Sequence, residues 1–143
     1  MAYKWLLINE KEGSIPGLAP ADTDVSAATL VGELLGVDSD GDFVIADSGE
    51  GTDTAVEARG AAYEKGTYGT TDITKDRSAI DLVNHSRLYG FSGLTPGGNV
   101  YLSSGGGYTQ TVPTLVGALN QYVGFAYSAT TVWIDVHPAE TIT

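Results

Sequence analysis

Apolar and polar residues alternate in short runs through the second half of the chain, with glycine and proline between them. Asn99–Ser103 carries Val100, Tyr101 and Leu102. Tyr108–Val112 places Tyr108, Gln110 and Val112 on one face and Thr109 and Thr111 on the other. A period of two is that of a strand. Thr95-Pro96-Gly97-Gly98 predicts a turn before this pair, because proline fixes one central φ and glycine accepts a positive φ at the next. Ser104-Gly105-Gly106-Gly107 predicts the loop joining the two strands. Pro113 ends the second, having no N–H to offer a ladder. Another hairpin follows, with strands Gln121–Tyr127 and Thr131–Val136 around Ser128-Ala129-Thr130. Its period puts Val123, Phe125 and Tyr127 on one face and Tyr122, Gly124 and Ala126 on the other. Thr114–Asn120 reads as a turn or one short helical turn.

The first half carries similar signals. Leu34–Val37, Asp38–Asp42 and Phe43–Ala46 read as strand, turn and strand. Val25–Leu35 could start a helix through Asp24, but Gly32 weakens it, and a strand over Thr29–Val37 is preferred. Ala79–Val83 and Arg87–Phe91 are two more strands, with Asn84-His85-Ser86 as the turn. Aligning Gly41 on Gly106 superposes Val37 on Leu102 and Phe43 on Tyr108, an offset of 65. Gly60–Tyr63 and Thr67 match Gly124–Tyr127 and Thr131 at an offset of 64. This reads as a duplicated β-unit, residues 29–84 and 93–136, of the kind that gives a barrel a pseudo-twofold axis. The expectation is an all-β domain over 25–143, a small barrel or sandwich of antiparallel hairpins, preceded by an extended arm and Pro/Gly loop over 1–24.

Composition narrows the function. The chain has 143 residues, no cysteine and a net charge of −11. That length suits one domain with a core that needs no covalent staples. Without cysteine there are no disulfides, thiolate metal sites or thiol nucleophiles. The negative charge disfavours nucleic acid and anionic membrane surfaces. Eight acids and no base lie between Glu33 and Glu57, whereas Asp135 and Glu140 are the only charges from Leu88 to Thr143. No apolar run reaches the roughly 18–20 residues of a membrane span. Trp5–Ile8 is shorter than the apolar core of a signal peptide, about 7–15 residues, so this segment is expected in the mature protein.

Catalytic motifs are weak. Asp38-Ser39-Asp40-Gly41-Asp42 looks like a calcium loop, but glycine falls at position 4 and Gly49 stands where glutamate belongs. It reads as an Asp-Gly turn, with Asp38, Asp40 and Asp42 as a weak cation candidate and no metal site assigned. Gly105-Gly106-Gly107 lacks the lysine and helix start of a phosphate loop. Gly90-Phe91-Ser92-Gly93 lacks the spacing of a nucleophile elbow. His85 and His137 lack the sequence context of a catalytic base and show no i,i+2 or i,i+4 ligand spacing, and read as loop histidines. Paired carboxylates for glycoside hydrolysis arise by chance on so acidic a surface. No enzyme activity and no cofactor are expected. Tyr3, Trp5, Leu6, Leu7 and Ile8 form an apolar run that is either a first strand of the domain's own sheet or an arm docking on a neighbour.

Gly93–Ser103, Gly107–Pro113 and Gln121–Val136 together resemble a turn-and-strand pattern of small β-rich capsid decoration (cement) proteins of tailed viruses, and of related tail and fibre domains. Residues 1–24 and 47–58 have no counterpart in it. The resemblance implies a non-enzymatic virion protein on the outer capsid surface. It would be a homo-oligomer, with a trimer favoured, clamping subunits of the major capsid protein. Interface candidates on this reading are the Tyr3–Ile8 run with Tyr101 and Tyr108. The alternatives are a tail, baseplate or fibre module, or a carbohydrate-binding β domain with Trp5 or Trp133 as a stacking platform.

Overall fold

A computed structural model describes residues 4–5, 14–15, 32–39, 41, 43–51, 54–62 and 82–143. Among these residues the chain is all β and antiparallel. The strands are β1 (Lys4–Trp5), β2 (Ser14–Ile15), β3 (Leu34–Val37), β4 (Phe43–Ile45), β5 (Gly60–Ala62), β6 (Leu82–Val83) and β7 (His85–Tyr89). They continue with β8 (Asn99–Leu102), β9 (Tyr108–Thr109), β10 (Leu119–Asn120), β11 (Tyr122–Ala126), β12 (Thr131–Asp135) and β13 (Glu140–Thr141). One sheet has the order β2-β6-β5-β3-β4, the other β1-β7-β12-β11-β8-β9, and β10 pairs with β13. The sheets are open and pack as a sandwich. Of the preferred strand over Thr29–Val37, Leu34–Val37 forms β3, whereas Gly32 sits in a turn and Glu33 is outside the strand. Residues 25–31 lie outside the described residues.

Once β1 is set aside, the two sheets share one strand order. They also share register. Val37 pairs with Phe43 as Leu102 pairs with Tyr108, and Leu35 with Gly60 as Val100 with Gly124. These pairs follow the offsets of 65 and 64. Their packing is nonetheless unlike that of a twofold pair. Leu34 and Ala61 belong to the shared core, whereas their register counterparts Asn99 and Phe125 do not. The sheets therefore turn opposite faces towards each other. The physical reason is in their burial. Leu34 and Leu35 are both 0% exposed, so β3 is covered on both faces, while β12 alternates between buried and half-buried positions.

The core joins Leu34, Ala46, Ala58 and Ala61 to Leu88, Val100, Leu102, Val123, Val132 and Ile134. Three alanines on one side against larger residues on the other let the sheets approach closely. Phe91 seals one end, with its ring edge-on to Tyr108 at 5.2 Å.

Asn84 is where the chain changes sheets. Val83 pairs with Ala61 and Ser14 in one sheet, and His85 pairs with Asp135 in the other. The turn expected at Asn84-His85-Ser86 is thus not a hairpin. Each flanking segment finds a better partner in a different sheet, and one bend at Asn84 makes the corner.

The seam between the halves is polar and closely satisfied. Gln121 is fully buried. Its Oε1 accepts from the Ala58 N–H at 2.8 Å, and its Nε2 donates to the carbonyls of Ala58 at 2.8 Å and His137 at 2.7 Å. Buried Asp47 accepts from the N–H groups of Gly49 at 2.7 Å and Gly105 at 3.0 Å. The Gly106 N–H reaches the Ala46 carbonyl at 2.7 Å. Gly106 is buried at φ 74°, and a Cβ there would lie 3.0 Å from the Leu34 carbonyl oxygen. The glycine loop is therefore part of the seam.

Two stability changes of opposite sign follow. Gln121→Leu leaves the Ala58 N–H and carbonyl buried without partners and removes the bond to the His137 carbonyl, and should cost about 3 kcal/mol in urea unfolding. Ser86, fully buried opposite Ile134, has a hydroxyl without a partner among the described residues. Ser86→Ala removes that unsatisfied group and should raise stability by about 1 kcal/mol. A destabilised Ser86→Ala protein would show that the hydroxyl is satisfied.

Candidate functional site

The outward face of the second sheet carries most of the half-exposed aromatic rings. Ser86, Leu88, Val132 and Ile134 are buried, so the intervening His85, Arg87, Tyr89, Thr131, Trp133 and Asp135 lie on the other face. On β11 the alternation breaks. The register with β8 shifts between Tyr122 and Gly124. Such a bulge re-aims the side chains beyond it. Val123 and Ala126 both enter the core, so Tyr122 and Phe125 both face outward. This corrects the period-two reading, which set Val123 with Phe125. Gly124 makes it possible: a Cβ there would lie 2.1 Å from the Trp133 carbonyl oxygen.

Register places the outward residues in rows. Arg87, Trp133, Phe125 and Asn99 are consecutive partners across four strands. Tyr89 faces Thr131 in the next row. Tyr127 follows Phe125 on the same face by two residues and is 64% exposed. In the row on the other side, Tyr101 meets Tyr122 edge-on, with centroids 6.5 Å apart.

The two histidines meet there. His85 Nε2 lies 2.9 Å from Asp135 Oδ1, and His137 Nε2 lies 2.9 Å from Asp135 Oδ2. The ring of His137 also leans on Tyr122, with centroids 4.6 Å apart. Sequence reading treated the histidines as separate loop residues. Asp135-x-His137 at a strand end is an i,i+2 pair of groups that share a face, which corrects the reading that no such spacing is present. His85 joins through strand pairing, which the sequence does not display. Among the described residues no group of three acids or histidines has the geometry to hold a metal ion. Burial raises the Tyr122 pKa above the usual tyrosine value, and the nearby charges of Asp135 and Tyr101 raise it further.

The other predicted residues fall in different places. Tyr108 is committed within the fold, its hydroxyl donating to the Gly32 carbonyl at 2.6 Å. Tyr101 is half-buried on the outward face, and its hydroxyl lies 3.5 Å from Asn99 Nδ2. Trp5 sits opposite Leu88, because β1 pairs with β7 of the same chain. Asp38 opens the expected turn, its carbonyl accepting from the Gly41 N–H at 3.1 Å. Tyr3, Leu6, Leu7, Ile8, Asp40 and Asp42 lie outside the described residues.

A second surface feature was not read from the sequence. Val112, Leu115 and Val116 form an apolar tip, exposed by 39%, 48% and 72%. Glu50 holds it from 64 residues away, its carboxylate accepting from the N–H groups of Thr114 and Leu115 at 3.2 and 3.1 Å. The C-terminal segment holds the other side, where the Gly117 N–H reaches the Ile142 carbonyl at 2.8 Å. An open cleft of about 270 Å³ runs beside the tip, lined by Ser48, Glu50, Ser103, Thr109 and Val112 among others.

No protein-family model matches the chain, and neither a curated protein nor a solved structure matches it.

The Tyr122 environment has a pH consequence. A raised pKa in the folded state means the native protein holds its proton longer than the unfolded chain. That contribution to stability is whole below pH 10, the ordinary tyrosine value, and is lost as pH rises through the raised folded value. Tyr122→Phe should remove a late-titrating tyrosine from the ultraviolet titration and flatten the alkaline fall in stability. An unchanged titration curve would count against the assignment.

Proposed function

We propose that this chain is a structural component of a tailed-virus particle, decorating the outer capsid surface and bridging neighbouring subunits of the major capsid protein as a homo-oligomer. The observation that carries the reading is the apolar tip Val112–Leu115–Val116, hydrogen-bonded in place by Glu50 and by the C-terminal segment. Apolar side chains fixed in an exposed position lose little conformational entropy when they dock, which favours anchoring in a partner's pocket. The tip belongs to the half of the chain that carries few charges, on a protein of net charge −11. Contact there meets one acid of the charged half, Glu50, whose carboxylate the tip's own N–H groups already engage, and so limits the repulsion brought to a crowded lattice. The residues resembling decoration proteins, 93–136, build the strands that frame this tip. The strand β1 pairs with β7 at the edge of the second sheet, and a sheet edge is where a neighbour's strand can be added.

Purified particles of the source virus, separated into capsid and tail fractions and analysed by mass spectrometry, test this directly. The chain should be found in the capsid fraction in numbers comparable to the capsid subunit. Val116→Asp should weaken reattachment to stripped capsids by roughly 30-fold, with an unchanged melting temperature. A chain absent from particles, or Val116→Asp protein that binds capsids normally, would overturn the proposal.

A further inference from the structure

We propose that the outward face of the second sheet is a binding platform for a neutral saccharide, separate from the apolar tip. Phe125 and Trp133 are direct partners on neighbouring strands and both lie on that face. Tyr127, just past the end of β11, follows the ring pair and is 64% exposed. Asn99 and Arg87 close the same row at its two ends. Sugar rings offer apolar C–H faces that pack on aromatic rings, and hydroxyls that need hydrogen-bond partners around the edge. This face supplies both, with an amide at one end of the ring pair and a guanidinium at the other. Arg87 is partly exposed on this face and forms no ion pair among the described residues.

Charge selects the ligand class. The face carries Arg87 and one carboxylate, Asp135, that two histidines already hold. It is therefore close to neutral on a chain of net charge −11. A polyanionic glycan would meet the repulsive field of the whole molecule, and a cationic ligand would meet Arg87. A neutral saccharide meets neither. Phe125 and Trp133 are half-buried in a sheet surface and do not protrude as anchors. That shape fits a flat ligand lying across the strands.

The platform also belongs to one half of the chain alone. In the first sheet the equivalent row is Leu34, Ala61, Val83 and Ser14, and its Leu34 and Ala61 are core residues. The aromatic row is thus not demanded by the shared strand order.

The test titrates the full-length protein calorimetrically with neutral hexasaccharides of glucose, galactose and N-acetylglucosamine. At least one should bind with a Kd between about 10 μM and 1 mM. Tyr127→Ala and Trp133→Ala should each weaken it by about tenfold or more, while Val116→Asp leaves it unchanged. Tyr127 is so exposed that its replacement should keep the melting temperature, which guards against a folding artefact in Trp133→Ala. No binding of any of the three at about 10 mM would overturn the proposal. So would binding confined to sulfated or uronic glycans, or binding that survives Tyr127→Ala. Loss of capsid attachment in Tyr127→Ala, without glycan binding, would make the face a protein contact and also overturn it. Capsid attachment through the tip is read separately, so failure here leaves that reading standing.

Discussion

The arrangement of this molecule depends on one buried side-chain amide. Gln121 presents to Ala58 the same donor and acceptor that a peptide group in a neighbouring strand would present. Backbone groups at the end of a sheet must find partners or pay for their desolvation. Gln121 meets that need where the two halves adjoin, and its remaining N–H reaches the His137 carbonyl. Residues 58, 121 and 137 are thereby tied at one point. From it β11 runs into the second sheet, and the C-terminal segment turns back to β10. Asp47 and Gly106 extend the same seam on the far side of the loop. The outward face and the apolar tip are both positioned by strands that leave this seam.

Two local devices then give the second half its surface. The bulge at Val123–Gly124 turns Phe125 outward and keeps Val123 and Ala126 in the core. A straight strand would have buried Phe125 with Val123. The second device is Glu50, a carboxylate from the acidic half that caps the backbone of the 113–116 loop. The charge asymmetry along the chain is therefore partly structural. One acid from the charged half orders the uncharged tip.

Strand existence was legible wherever the chain alternates over several residues, as in Thr131–Val136 and Asn99–Ser103. Turn positions were legible from Pro96-Gly97 and from the glycine run at 105–107, because those residues adopt backbone angles that others resist. The matching registers of the two halves were foreshadowed by Gly41 against Gly106 and Gly60 against Gly124. Asn84 was misread because a turn and a sheet-switching corner share the same local composition. Tyr122 and Phe125 were assigned to opposite faces because a bulge leaves no mark in hydropathy. The His85–Asp135–His137 cluster was half visible in the Asp-x-His spacing, and half dependent on the pairing of β7 with β12.

By itself the sequence determined the all-β character, the hairpin turns, the uneven charge and the repeat of strand order. These follow from properties that act within a few residues: β-branched and aromatic propensity, glycine and proline angles, and period-two patterning. Tertiary structure alone decided which face of each sheet is buried, where the chain changes sheets, and which distant groups meet. Those outcomes rest on backbone pairing and desolvation between residues some 50 to 65 positions apart, as in Gln121 with Ala58, Glu50 with Leu115 and His85 with Asp135. Local composition cannot encode a partner that only packing brings near.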